Sequence, residues 1–188
     1  FHNPVPIIYQ SGYPTIKEYD LLKNFYVLGY PNAEVEYGWL NFITPYYTPM
    51  SEANAPFYIG KFWDELREGD VDSFMERLRA FFVGMPYELN DKTERHYQVI
   101  FYIVFKLLGQ YVDVEVRSAR GRADAVVKTT DYIYVFEFKV DGTPEEALAQ
   151  INSKQYAIPY QADHRKVIKV GVNFDSSTRT IGEWIIEN

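Results

Sequence analysis

The segment Tyr132–Val140 constrains the fold of this chain more than any other part of the sequence. It is rich in β-branched and aromatic residues, as a central strand of a sheet is. Side chains alternate between the two faces of a strand, so Glu137 and Lys139 share one face and Phe136 and Phe138 share the other. An unpaired charge is expensive to bury, so the two charged residues need a specific role or contact with water.

The segments around this strand predict a mixed α/β domain. An amphipathic helix is expected over 93–108, and Thr143 and Glu146 form a capping box, with Pro144 at the first helical position, for a helix running to Tyr156. Further strands are expected at 111–116, 123–128, 167–172 and 180–186. The order is therefore helix, three strands, helix and two strands.

The part of the chain before residue 90 is dense in aromatic residues and turn formers. It predicts extended segments at 16–19 and 24–28, a helix that begins after Asn32, and two helices at 59–68 and 71–83. A stretch of small residues before residue 57 is a candidate linker. We therefore expect a smaller, mostly helical N-terminal segment at 1–56 and a second domain at 57–188.

Composition excludes several classes of protein. The 188 residues contain no cysteine, which excludes disulfide scaffolds, thiolate zinc sites and thiol nucleophiles. No apolar run is long enough to span a membrane, so we expect a cytoplasmic protein with no membrane partner. The net charge is −7, yet segment 92–128 holds seven Lys and Arg against four Asp and Glu, which leaves room for a phosphate-binding surface.

A second acidic residue stands close to the charged strand in sequence. Asp124 lies in an apolar run, and the short turn 128–131 predicts a hairpin that sets Asp124 beside Glu137. Two converging carboxylates suit an oxygen-loving divalent ion such as Mg²⁺, and Lys139 on the same face can stabilise charge on a phosphate. The alternative is that Glu137 and Lys139 form an ordinary solvated cross-strand pair.

The ordered set of motifs resembles the PD-(D/E)XK nuclease superfamily. The segment Gly121-Arg122-Ala123-Asp124 precedes Glu137-Phe138-Lys139 by twelve residues, and Ala123 stands at the family's proline position. A helix with Ala147, Gln150, Ile151, Lys154 and Tyr156 follows. This order is similar to an uncharacterised bacterial family that lies C-terminal to an AAA-ATPase-like domain, and residues 1–56 resemble the tail of that ATPase-like part. The resemblance implies a restriction-endonuclease-like mixed β-sheet flanked by helices.

The same resemblance implies roles for individual residues. Asp124, Glu137 and the backbone carbonyl of Phe138 would bind Mg²⁺ or Mn²⁺, and Lys139 would position the attacking water or stabilise the phosphate. Glu94 resembles the additional acid of many such nucleases, although Asp91-Lys92-Thr93-Glu94 is also a capping box.

Two residues of the second helix and three basic residues complete the expected site. Gln150 and Tyr156 would line it, the alternative being helix surface and core packing. Arg120, Arg122 and Lys154 would contact nucleic acid. The resemblance thus implies a Mg²⁺-dependent nuclease acting on nucleic acid, with DNA expected, beside an upstream ATPase-like domain. The alternative is a catalytically inactive nucleic-acid-binding or regulatory module.

Overall fold

A sheet of five strands forms the centre of the larger of two compact units in the chain. The computed structural model describes residues 5–51, 53–84, 94–111, 113–116 and 123–188, with the backbone alone at 94–98, 115 and 116. The two units are Phe1–Ile43 and Thr44–Asn188. The domain assignment made from the sequence, with its boundary between residues 56 and 57, stays a prediction.

The helices and strands follow the predicted order, with one additional helix at the start. The helices of the described residues are α1 (Val5–Gln10), α2 (Ala33–Tyr47), α3 (Ala55–Glu68), α4 (Val71–Val83), α5 (Glu94–Leu108) and α6 (Pro144–Ser153). The strands are β1 (Thr15–Asp20), β2 (Phe25–Gly29), β3 (Asp113–Val116), β4 (Ala125–Lys128), β5 (Tyr132–Val140), β6 (Lys166–Asp175) and β7 (Thr180–Glu187). None of the helices in these ranges is long and apolar enough to cross a membrane.

The first unit holds α1, the antiparallel pair of β1 and β2, and most of α2. The predicted start of α2 is confirmed, because the Asn32 side-chain oxygen accepts a hydrogen bond from the Val35 amide at 2.9 Å. This contact satisfies one of the amide groups that the first turn of a helix leaves without a partner.

The second unit is built on a mixed sheet with the strand order β3-β4-β5-β6-β7. Neighbouring strands are antiparallel except for β5 and β6, which are parallel and are joined through α6. A parallel pair requires such a crossover because its strands run in the same direction. The α/β class is confirmed, and this arrangement is consistent with a restriction-endonuclease-like fold.

The two faces of β5 are both covered by helices. On one face, the Phe136 ring lies 5.6 Å from Phe74 of α4 and 5.3 Å from Phe105 of α5, measured between ring centroids. On the other face, Ile133 and Val135 belong to a buried cluster with Ile151 of α6, Ala123 and Val126. Because residues 133–137 of β5 are buried, a charged residue in this part of the strand needs partners within the protein.

Candidate active site

The β4–β5 hairpin brings Asp124 and Glu137 to one place. Its turn is closed by the Thr129 amide, which donates to the Tyr132 carbonyl at 2.8 Å. Asp124 immediately precedes β4, and its amide donates to the Phe136 carbonyl at 3.1 Å. Asp124 therefore lies against β5 directly beside the position of Glu137, as the sequence predicts.

The side chain of Asp124 is held by the backbone of β5. Its Oδ2 atom accepts a hydrogen bond from the Phe138 amide at 2.9 Å. A backbone donor of this kind cannot rotate away, so it fixes the direction of the carboxylate. Phe138 thus orients Asp124 through its backbone amide, a role that the sequence motifs did not indicate.

Glu137 is a buried carboxylate, with only 3% of its surface exposed. Its Oε1 atom accepts hydrogen bonds from Lys139 Nζ at 3.4 Å and from the Gln150 side-chain amide. Its Oε2 atom is buried and has no hydrogen-bond partner in the part of the chain that the structure describes. The alternative of a solvated edge pair is therefore wrong for Glu137, because the residue lies inside the fold.

The surroundings of Glu137 disfavour its charged form. Burial, and next the neighbouring charge of Asp124, raise the pKa of Glu137 to about 7, while Lys139 acts in the opposite direction. Two carboxylates that approach each other in a site of low polarity repel, and a bound cation would relieve that repulsion. The charged form of Glu137 would therefore be favoured by a cation bound beside it.

Gln150 connects the two charged residues of β5 to helix α6. Its Oε1 atom accepts a hydrogen bond from Lys139 Nζ at 2.5 Å, while its Nε2 group donates to Glu137 and, at 3.4 Å, to the Tyr156 hydroxyl. One amide side chain therefore holds the carboxylate and the ammonium at the same time. Gln150 thus lies beside both charged residues of β5, and its role in lining an active site stays a prediction.

The N-terminus of α6 is fixed as the sequence predicts. The Thr143 hydroxyl accepts from the Glu146 amide at 3.1 Å, and the Glu146 carboxylate accepts from the Thr143 amide at 3.0 Å. Both hydrogen bonds of a capping box are thus present, with Pro144 in the first turn. This cap defines where the helix starts and hence where Gln150 lies along it.

The predicted end of α6 is wrong. The helix ends at Ser153, so Lys154 is its C-cap residue and Tyr156 lies beyond it. Gln155 adopts a positive φ of 59°, and Pro159 lies in a short 3₁₀ helix that follows. A left-handed residue breaks the helical hydrogen bonding, and proline cannot donate one. Tyr156 nevertheless reaches the site, while it also packs against the buried cluster of α6.

Within the described residues, the structure brings none of the remaining predicted side chains into the hydrogen-bond network of Glu137 and Lys139. Lys154 is exposed, and its amide donates to the Gln150 carbonyl at 2.9 Å. Arg120 and Arg122 lie outside the described residues. Helix α5 begins at Glu94, but the side chain of this residue is not among those described, so its role stays a prediction.

Phe101 of α5 supports β5 from the face opposite Glu137, a contact that the motifs did not identify. Its ring stacks on Phe138, with 4.1 Å between centroids and 27° between planes. This contact holds the end of β5 whose amide fixes Asp124. The only sequence signal was the apolar periodicity of α5, which indicates packing but not the contacted strand.

The donor set fits a hard divalent cation. Asp124 and Glu137 offer carboxylate oxygens, and the Oε2 atom of Glu137 is buried without a hydrogen-bond partner in the described ranges. Oxygen donors are those that Mg²⁺ and Mn²⁺ prefer. A group of three or more His, Cys, Asp or Glu residues able to hold a metal does not occur among the residues that the structure describes. Within the described residues, any remaining ligands would be backbone oxygens, water or substrate, while Glu94 stays the predicted additional acid.

Comparison with known proteins identifies a relative and a family model that match this chain. The chain is 30% identical, over 97% of its length, to a protein of Azotobacter chroococcum mcd 1 named "Uncharacterized protein in vnfD 5'region", and it spans 37% of that protein. No solved structure matches the chain at a significant level. The family model described as "PD-(D/E)XK nuclease superfamily" matches residues 92–184, which include Asp124, Glu137 and Lys139. Residues 92–184 of the chain therefore belong to the PD-(D/E)XK nuclease superfamily.

Proposed function

We propose that this protein is a divalent-metal-dependent nuclease that hydrolyses phosphodiester bonds in nucleic acid. The observation that carries the proposal is the buried Glu137 carboxylate, whose Oε2 atom has no hydrogen-bond partner among the described residues. An unsatisfied buried carboxylate oxygen is costly to a fold, and binding a cation would remove that cost. Family membership supports a nuclease at the level of the superfamily.

Asp124, Glu137 and the Phe138 carbonyl would hold the ion, with Mg²⁺ or Mn²⁺ as the candidates. When bound, such an ion supplies Lewis-acid polarisation of the phosphate and lowers the pKa of bound water. The Phe138 amide keeps Asp124 in place, and Gln150 keeps Glu137 in place. The two carboxylates are thus oriented in advance, which lowers the reorganisation needed during the reaction.

Lys139 would stabilise the negative charge that grows on the phosphate as water attacks. Its ammonium group is held at 2.5 Å by the Gln150 oxygen and at 3.4 Å by Glu137. Its side chain is 29% exposed, so the ammonium group lies at the boundary between the buried carboxylate and the solvent. A cation fixed in that position can contact the substrate and stabilise the negative charge of the transition state, although it is not part of the hydrophobic core.

Nucleic acid, with DNA as the first candidate, is the proposed substrate. The exposed Lys154 follows the helix that carries Gln150, and it offers a phosphate contact near the site. Arg120 and Arg122 are proposed to add contacts. An upstream ATPase-like domain is proposed as the neighbour of this chain in a longer protein, because residues 1–56 resemble the tail of such a domain.

Cleavage assays with metal replacement test the proposal. Labelled single- and double-stranded DNA and RNA are incubated with the chain in Mg²⁺, Mn²⁺ or a chelator. We expect cleavage that requires the metal and that is lost in Asp124→Asn. The matched control is Glu145→Gln, since Glu145 is an exposed acid in the first turn of α6. Metal-independent cleavage, or full activity in Asp124→Asn, would contradict the assignment.

A catalytically inactive nucleic-acid-binding or regulatory module is the second candidate. It is favoured by the presence of only two acids at the site in the described part of the chain, where many metal sites have three or more. Under this alternative the protein binds nucleic acid and Mg²⁺ but cuts neither DNA nor RNA. Binding measured by fluorescence anisotropy, alongside the cleavage assay, separates the two candidates.

A further inference from the structure

Gly171 allows helix α6 to approach the sheet very closely. It lies on β6 in register with Glu137 of β5, and it is buried. A Cβ atom at this position would lie 2.3 Å from the Pro144 carbonyl oxygen and 2.8 Å from the Leu148 amide nitrogen. Both of these atoms belong to the backbone of α6, so rotation of a side chain cannot relieve the contact.

A side chain at position 171 would therefore move the helix itself. The nearest atom lies at 2.3 Å and ordinary van der Waals contact begins at 3.4 Å, so α6 would have to shift by about 1 Å. Both clashing atoms lie in the first half of α6, and Gln150 lies two residues after Leu148. A helix shifts as a rigid element, so this displacement would be carried to Gln150.

The hydrogen bonds of Gln150 depend on the short distance between α6 and the sheet. Its amide bridges Glu137 and Lys139 on β5, with a 2.5 Å distance to Lys139 Nζ. Hydrogen bonds weaken steeply beyond normal distances and angles, so a shift of this size would disturb both of them. The Glu137 oxygen would then lose its amide donor inside a buried site.

We infer that Gly171 is a positioning residue for the site: its missing side chain sets the distance between α6 and the sheet at which Gln150 holds Glu137 and Lys139 together. This inference rests on the proposed nuclease function for its effect on cleavage. The structural part of the inference is the coupling of position 171 to the Gln150 amide. It can be measured without a cleavage assay. A misplacement of about 1 Å at an active site, caused by a change away from the reacting atoms, can lower the rate by about 10²-fold.

The test uses Gly171→Ala, with Gly60→Ala as the matched control because a Cβ atom at Gly60 meets nothing within 4 Å. The readout is the solvent exchange rate of the Gln150 side-chain amide protons by NMR, assigned by their loss in Gln150→Ala. We expect exchange to become faster in Gly171→Ala and to stay unchanged in Gly60→Ala. Unchanged exchange in folded Gly171→Ala would overturn the inference, whatever happens to cleavage.

A double-mutant cycle separates positioning from general destabilisation. If Gly171 acts through Gln150, cleavage should fall about 10²-fold in Gly171→Ala but little further when the change is made in a Gln150→Ala background. Additive losses in the two backgrounds would overturn the inference. If the wild-type protein cuts nothing, the nuclease proposal fails and the amide exchange rate still decides the role of Gly171.

The wild-type protein provides a measurement that does not depend on the folding of a variant. The Gly171 Hα protons should give nuclear Overhauser contacts to the Leu148 amide proton, and the Gln150 side-chain amide should be protected from exchange. If Gly171→Ala does not fold, both results together support the inference. The absence of either one overturns it.

Discussion

Glu137 places a buried carboxylate in the candidate site. It continues the face of β5 that carries Ile133 and Val135, so the strand places a carboxylate where its neighbours pack against α6. Gln150 and Lys139 satisfy one of its oxygens, whereas the other has no hydrogen-bond partner within the described ranges. Such a residue opposes folding in the absence of a ligand, which is the usual cost of a prepared binding site.

The pH dependence of stability should reveal this cost. The pKa of Glu137 is raised from 4.5 to about 7, so between these values the folded protein binds a proton that the unfolded chain has lost. Its contribution to the free energy of unfolding therefore decreases as the pH rises through this window, by roughly 3 kcal/mol. Glu137→Gln removes the titration, so without metal the variant should gain stability relative to wild type from pH 4 to pH 8.

Urea unfolding at several pH values, with a chelator present, measures this difference. Glu145→Gln serves as control, since Glu145 is exposed on the same domain and should follow the wild-type profile. A constant difference between Glu137→Gln and wild type across the whole range would show that Glu137 titrates normally.

We expect Lys139 to contribute to the rate of cleavage rather than to the stability of the fold. Replacement by Met keeps the length and the apolar stem of the side chain but removes the charge that is proposed to stabilise the phosphate. We expect Lys139→Met to lower metal-dependent cleavage by about 10²–10³-fold, the size seen when one electrostatic donor is lost. Nucleic-acid binding and the thermal midpoint should change little, because the side chain is partly exposed.

The comparison variant for this prediction is Lys166→Met, an exposed lysine at the start of β6. Kinetics at saturating substrate, together with binding by anisotropy, separate a loss of turnover from a loss of affinity. Cleavage by Lys139→Met at the wild-type rate would remove Lys139 from the mechanism.

At the level of helices and strands, local patterns predicted most of the second unit. The segment Tyr132–Val140 is found as β5 with the predicted bounds, because β-branched and aromatic residues favour a strand whichever partner it has. The capping box at Thr143 likewise depends on residues three positions apart. Patterns that are complete within a few residues can be recognised before the fold is known.

The features that could not be predicted either have no strong local signal or depend on residues further along the chain. The end of α6 is set by the positive φ of Gln155 and by the turn that follows, and neither has a strong local signal. The bridge from Gln150 to β5 requires the close approach at Gly171, which lies 21 positions further along the chain. Sequence motifs thus identified the residue types of the site but not the contacts that hold them.

The N-terminal cap of α6 should contribute measurably to stability. Thr143→Ala removes the hydroxyl that accepts from the Glu146 amide, and such a loss costs about 1 kcal/mol. Urea unfolding should show this decrease, whereas Glu145→Ala in the same turn should change the free energy of unfolding by less than about 0.5 kcal/mol. Equal effects of the two changes would mean that the cap does not stabilise the helix.

At the scale of the whole molecule, the site joins three successive segments of the chain that the β4–β5 hairpin and the crossover helix bring together. Asp124 lies before β4, Glu137 and Lys139 lie on β5, and Gln150 lies on α6. The site therefore forms only when the sheet and its crossover helix are in place, and a ligand that binds there binds the folded state alone. Metal binding and global stability must then be linked.

Divalent metal should consequently stabilise the folded protein in a pH-dependent way. At a free Mn²⁺ concentration of 100 times Kd, the expected gain is about 2.7 kcal/mol, which corresponds to a rise in thermal midpoint of roughly 5–10 °C for a chain of this size. A metal ligand must be deprotonated, and the pKa of Glu137 lies at about 7, so the gain should increase from pH 6 to pH 8. Differential scanning calorimetry with Mn²⁺ or with a chelator measures it.

Two variants test the proposed metal ligand Glu137 and the proposed catalytic residue Lys139 in the same experiment. Glu137→Gln should lose most of the stabilisation by Mn²⁺ and recover part of it at higher metal concentration, because one carboxylate ligand is gone. Lys139→Met should keep the stabilisation, because an ammonium group does not bind metal and its removal lowers the local positive charge. A full Mn²⁺ shift in Glu137→Gln would place the ion elsewhere in the molecule, and the pairing of Asp124 with Glu137 would then need another explanation.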